Sequence, residues 1–146
     1  MKPFNFAIVV SRFNSTVTEK LLLGAKERCQ SLNIPGHCID VFPVPGAVEI
    51  PVTAQALAKK NKYDAVICLG AVIRGETTHY DYVCEQVSYG CQRVALDHQL
   101  PVIFGVLTTE NEAQAFDRLG GKHGHKGKEA VDAAVEMAKT LQLIRQ

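Results

Sequence analysis

Residues 65–69, Ala-Val-Ile-Cys-Leu, form an uninterrupted apolar run, and that run constrains the fold more than any other feature of the chain. A strand whose side chains are apolar on both sides needs cover on both faces, the situation of a parallel strand held between two helix layers. Phe6 to Val10, Cys38 to Phe42 and Val102 to Leu107 predict three further short strands, with amphipathic stretches between them. In the first stretch Val17, Leu21, Ala25, Cys29 and Leu32 recur at helical spacing, Thr16 and Glu19 are placed as a capping box, and Asn33 with Pro35-Gly36 ends the helix. A second helix is expected from about Val48 to Lys59, with Pro51 tolerated in its first turn. A long third runs from Tyr80 to about Leu96 with Val83, Val87, Cys91 and Val94 inward, and Thr109 with Glu112 predicts the cap of a short fourth. Glycines and lysines over 120–127 interrupt the helical signal, which resumes with Val131, Ala134, Val135, Ala138 and Leu141. Strands alternating with helices predict right-handed βαβ units in one domain over residues 1–146, a three-layer α/β/α sandwich around a four-stranded parallel sheet.

Composition excludes several function classes. With 47% hydrophobic and 21% charged residues the chain has the make-up of a folded domain, long enough at 146 residues to bury one core. Sixteen basic against fifteen acidic residues give a net charge of +1, without the footprint of a nucleic-acid or anionic-membrane binder. The apolar run near the amino terminus is too short for a signal-peptide core or a membrane span, which points to the cytoplasm. Cys29, Cys38, Cys68, Cys84 and Cys91 are odd in number and lack C-x-x-C spacing, so they read as small buried hydrophobes and not as disulfides or zinc ligands.

In open parallel sheets ligands bind outside the carboxyl ends of the strands, and the unusual residues of this chain gather there. Phe13, in Ser11-Arg12-Phe13-Asn14, is an aromatic in a rim loop, suited either to stack on a planar ligand or to staple the next helix. Pro45-Gly46-Ala47-Val48-Glu49 brings a turn to a helix amino terminus, where free N–H groups and Glu49 could meet a ligand or simply cap the helix. Gly70-Ala71-Val72-Ile73-Arg74-Gly75-Glu76-Thr77-Thr78-His79 combines a strand, a glycine-containing turn, two threonines and a helix start, the ingredients of a phosphate site that matches neither the Walker nor the dinucleotide pattern. His79 at its mouth has the side chain suited to exchange protons near neutrality, although a lone histidine is more often structural. Arg118 is a second candidate for gripping phosphate, with a solvated surface charge as the plainer reading. His123 and His125, two apart and without nearby carboxylates or thiols, make too poor a ligand set to predict a metal.

Together these segments resemble the lumazine synthases along essentially the whole chain. Arg-Phe-Asn at 12–14, Pro-Gly-Ala-Val-Glu at 45–49, the stretch from Gly70 to Val83, Leu-Thr-Thr-Glu-Asn at 107–111, and Arg118 before a Gly-Lys-rich break carry the likeness in order. The resemblance implies a flavodoxin-like fold and a cofactor-free, metal-free condensation of a ribitylaminouracil with a four-carbon keto-phosphate. Phe13 would stack on the pyrimidine, Ala47, Val48, Glu49, Ala71, Val72 and Ile73 would hold its ring and ribityl chain, Glu76, Thr77 and Arg118 would bind phosphate, and His79 would move protons. Phe104 and Arg118 would come from a neighbouring subunit of a pentamer, itself a unit of a sixty-subunit shell in some members, and a riboflavin synthase is an implied partner. Ala47-Val48 departs from the frequent Ser-Phe, and His123-Gly124-His125 from the common Ala-Gly-Asn. An archaeal-type riboflavin synthase of the same fold, and a cage-forming carrier without catalysis, are the alternatives.

Overall fold

The computed structural model describes residues 2–146. Its core is a four-stranded parallel sheet of β1 (Phe6–Ser11), β2 (Ile39–Val44), β3 (Ala65–Ile73) and β4 (Val102–Thr109), in spatial order β2-β1-β3-β4. Helices α1 (Ser15–Ser31) and α5 (Lys126–Ile144) cover one face; α2 (Ile50–Ala58) and α3 (His79–His98) cover the other. Side chains alternate accordingly. Phe6, Ile8 and Val10 of β1 join Ala65, Ile67 and Leu69 of β3 under α1 and α5, whereas Ala7, Val9, Val66 and Cys68 pack under α2 and α3. The fully buried strands β1 and β3 are the continuous apolar runs of the sequence, and the expected flavodoxin-like sandwich is what the structure contains.

Because β2 lies on one side of β1 and β3 on the other, the chain reverses its winding between β1 and β3, and their carboxyl ends open a crevice. Several boundaries differ from the expectation for local reasons. Helix α1 starts two residues after Phe13, and Asn14 takes the N-cap position in the left-handed conformation (φ 63°); Thr16 and Glu19 form no capping box. Residues Ala47–Glu49 make a 3-10 turn ahead of α2. Strand β3 continues to Ile73, so Gly70 belongs to the strand and not to the turn. Glycine is needed there because a Cβ would sit 2.9 Å from Ser11 Oγ and 3.3 Å from Ile50 Cδ1. The short helix α4 (Glu112–Asp117) is capped by Asn111, whose side chain accepts from Gln114 N–H, while Thr109 is the last residue of β4. The glycine-rich break is an antiparallel hairpin of β5 (Leu119–Gly121) and β6 (Gly124–His125).

Of the five cysteines, Cys29, Cys38, Cys68 and Cys91 are buried and Cys84 is half-buried, and burial pushes the Cys29 thiol up to about 11. Such thiols are packing groups. Among the described residues no helix is long and apolar enough to cross a membrane.

Candidate active site

The crevice at the β1/β3 switch point is a cavity of about 460 Å3, within the usual range for a small-molecule site. Three segments build it. The β1–α1 turn contributes Phe13 and Asn14; the turn before α2 contributes Gly46 to Glu49; the end of β3 and the start of α3 contribute Ala71 to Ile73, Gly75, Thr77, His79, Tyr80 and Val83.

Phe13 is 71% exposed, which rules out the staple reading and leaves its face open at the rim. Its loop is fixed from both sides. The Phe13 N–H donates to Pro45 O at 3.0 Å, and Asn14 Nδ2 donates to Ala71 O at 2.9 Å, tying the turn to β2 and β3 at once. Asn14 was not singled out from the sequence. Its left-handed backbone is tolerable because asparagine is the non-glycine residue that adopts it most readily, and an asparagine between a strand and a helix is the signal that could have marked it.

Glu49 performs the capping task and still reaches the cavity. Its Oε1 accepts the Gly46 N–H at 2.9 Å, and Oε2 has no protein partner among the described residues. On the opposite wall the loop from Gly75 to Thr78 exposes a run of backbone N–H groups that find no protein acceptor among the described residues. Thr77 Oγ1 accepts the N–H of His79 at 3.3 Å, and with Thr78 as N-cap the positive end of the 20-residue α3 opens onto this loop. His79 is exposed and lines the same cavity as Phe13 and Thr77. Arg74 donates to Glu110 (2.6 Å) and Asp81 (3.3 Å) and lies over the Tyr80 ring, 4.3 Å from its centroid. Burial raises the Tyr80 phenol above its ordinary value, so this wall residue is a neutral hydroxyl.

A second cavity, of about 640 Å3, lies beyond β4 and is lined by Thr108, Asn111, Asp117, Arg118, His123 and Lys126 among others. Asp117 organises it. One carboxylate oxygen accepts the Lys122 N–H at 2.9 Å, and the other pairs with His123 Nδ1, which holds the Asp117 carboxyl below its ordinary value. His125 Nδ1 accepts the N–H groups of Gly127 and Lys128 and so caps α5. Its ring fills the space over Gly24, where a Cβ would stand 2.1 Å from Cε1.

The family model described as 6,7-dimethyl-8-ribityllumazine synthase matches residues 3–142. The chain belongs to this family. Proteins called 6,7-dimethyl-8-ribityllumazine synthase from the Coxiella burnetii strains Dugway 5J108-111, CbuG_Q212 and RSA 493 / Nine Mile phase I are each 57% identical to it over 141 residues, covering 97% of this chain and 93% of the relative.

Set against the residues expected from the sequence, the structure brings Phe13, Ala47, Val48, Glu49, Ala71, Val72, Ile73, Thr77 and His79 around one cavity. It does not bring Phe104, Glu76 or Arg118 there. Phe104 lies half-buried in β4 against the α2/α3 core, Glu76 is exposed in the loop, and Arg118 lines the second cavity with its guanidinium unpaired among the described residues.

Proposed function

We propose that the protein condenses 5-amino-6-(D-ribitylamino)uracil with 3,4-dihydroxy-2-butanone 4-phosphate, releasing one phosphate and two waters as 6,7-dimethyl-8-ribityllumazine forms, the penultimate step of riboflavin synthesis. The observation that carries this reading is the meeting of Phe13, Gly75, Thr77 and His79 in one cavity of a chain of this family. Phe13 takes the pyrimidine on its open face, and an offset stack of this kind contributes about 0.5–1.5 kcal/mol beyond area burial. Glu49 and the backbone of Ala47, Val48 and Ala71 to Ile73 hold ring edges and ribityl hydroxyls. The backbone amides at Glu76 and Thr77, with the Thr77 hydroxyl, receive the phosphate, the helix dipole favouring its charge.

Chemistry follows from that placement. The uracil amine attacks the ketone, and loss of water gives an imine. Abstraction of a carbon-bound proton expels phosphate, the resulting enol becomes a ketone, and the ribitylamino nitrogen closes the ring with loss of a second water. His79, beside both half-sites, shuttles these protons, help worth roughly 10²–10⁴-fold. Holding two substrates together supplies much of the rest, up to ~7–11 kcal/mol.

Arg118 and Phe104 act on the cavity of an adjacent subunit in a homopentamer, in this reading. What supports it is that neither lines its own chain's β1/β3 cavity, Arg118 lying beyond β4 and Phe104 within β4, and that Val52, Tyr82, Tyr89 and Leu96 on α2 and α3 are exposed, apolar area that a neighbouring copy would cover. The pentamer, which would act in the cytoplasm and in larger shells could enclose a riboflavin synthase, is measured directly by light scattering. Purified protein mixed with the two substrates should release phosphate in step with a blue-green fluorescent product, and no riboflavin should form from lumazine alone. Absence of that product defeats the assignment.

A further inference from the structure

Arg74 stands at the entrance of the anion loop and closes it into a ring of contacts. Its backbone N–H donates to Thr109 O at 2.9 Å, extending the β3–β4 pairing by one bond past the last strand residue. Its side chain then turns back in two directions. Nε reaches Glu110 on the β4 side at 2.6 Å, and a terminal nitrogen reaches Asp81 in the first turn of α3 at 3.3 Å. The guanidinium also covers Tyr80, a wall of the cavity. One residue therefore ties both ends of the four-residue segment from Gly75 to Thr78, which has no regular secondary structure and, at Gly75, no side chain to anchor it.

Two consequences follow from elementary physics. Without the guanidinium the loop is joined to the sheet at one end only and its unpaired amides lose their fixed positions beside the cavity that Gly75 and Thr77 line. Positional errors of an ångström in such groups can cost on the order of 100-fold. The charges matter as well. Asp81 and Glu110 flank a loop that must receive a dianion, and with Arg74 removed both carboxylates stand there uncompensated, about one Debye length or less being needed for repulsion to be felt. Exposed ion pairs add little to global stability, about 0–1 kcal/mol each, so nothing in the fold's stability requires this arrangement.

We propose that Arg74 is a positioning residue for phosphate binding, orienting the Gly75–Thr78 amides and neutralising Asp81 and Glu110 without touching the substrate. The inference rests on the proposed function for the identity of the phosphate and on this geometry for the rest. Arg74→Ala raises the KM for the keto-phosphate about five- to tenfold while the KM for the aminouracil moves less than twofold, and Arg74→Lys, which keeps charge but not the forked contacts, falls between. Adding Glu110→Gln to Arg74→Ala recovers part of the lost affinity, a rescue that a purely structural arginine would not give. Backbone amide order parameters should fall over residues 75–78 and not elsewhere. Equal shifts in both KM values, no rescue by Glu110→Gln, or unchanged order parameters over 75–78 would each overturn the proposal. If wild-type protein makes no lumazine, the proposed function falls, and inorganic phosphate replaces the keto-phosphate as probe: a dissociation constant that does not rise in Arg74→Ala rejects the positioning role on its own.

Discussion

The cavity at the β1/β3 switch point and the shelf beyond β4 carry the same kind of residues but differ in completeness. The first has an aromatic, a carboxylate, unpaired loop amides and an imidazole around one volume. The second has Arg118, Lys126 and a hairpin pinned by Asp117, with no aromatic and only one strand end, that of β4, among its lining residues. Sheet topology explains the difference. Where winding reverses, three loops converge around one volume within one chain; at the edge strand β4 there is no next strand, and in the proposed pentamer a second copy would complete the shelf. Groups that look unrelated in one protomer become two halves of a site only if a second copy brings them together.

The sharpest way to break that comparison is to remove His79. His79→Ala should lower kcat by roughly 10²–10⁴-fold at most and leave measurable synthesis, since substrate alignment survives; an unchanged rate, followed by lumazine absorbance, removes the imidazole from the chemistry. Next in size, Arg118→Ala should raise the keto-phosphate KM by about 10–100-fold, the worth of a charged, two-pronged contact, with little change in Tm. Co-expressing His79→Ala with Arg118→Ala sharpens the test. If the halves belong to different subunits, mixed oligomers contain intact sites and exceed the sum of the two parents. Failure of that complementation would return Arg118 to its own chain.

Phe13→Ala is expected to be milder, raising the aminouracil KM about two- to tenfold. Because the ring is exposed, Tm should stay where it is, and a large loss of stability would mean the ring packs where the structure leaves it open. The smallest effect belongs to the hairpin before α5. Burial pushes His125 below the ordinary value of 6.5, with Lys128 acting in the same direction and Glu27 and Glu129 against it. Its Nδ1 must be unprotonated to cap α5. The stabilisation is therefore whole above pH 6.5 and is lost as pH falls from there through the depressed folded-state value. Denaturant midpoints at pH 5 and pH 8 should differ more in wild type than in His125→Asn, whose amide oxygen accepts the same bonds at both; equal differences would show that the cap does not titrate.

Legibility in the sequence followed the length scale of the interaction. Strands β1 and β3 were readable because two-sided burial leaves an unbroken apolar run, and the helices because their stripes repeat every turn. Phe13, Glu49, Thr77 and His79 were readable because they follow strands, where parallel sheets bind ligands. Caps were misplaced at both helices where they were assigned. Thr16 and Glu19 have the spacing of a capping box, yet Asn14 takes the position because its side chain can also reach Ala71 O across the sheet. Gly70 looked like turn punctuation and is instead a strand residue whose missing Cβ lets Ser11 and Ile50 close in.

The sequence by itself determined the layer architecture, the four strands of the parallel sheet and the rim residues, since hydrophobic periodicity and strand-end position are local properties of the chain. Only the tertiary structure decided which of those residues share a cavity, that Arg74 ties Glu110 to Asp81 across the Gly75–Thr78 loop, and that Arg118 lines a different cavity. Those relations depend on strand order and on the few ångströms between loops far apart in sequence, and no local pattern encodes a distance between two segments that meet only after folding.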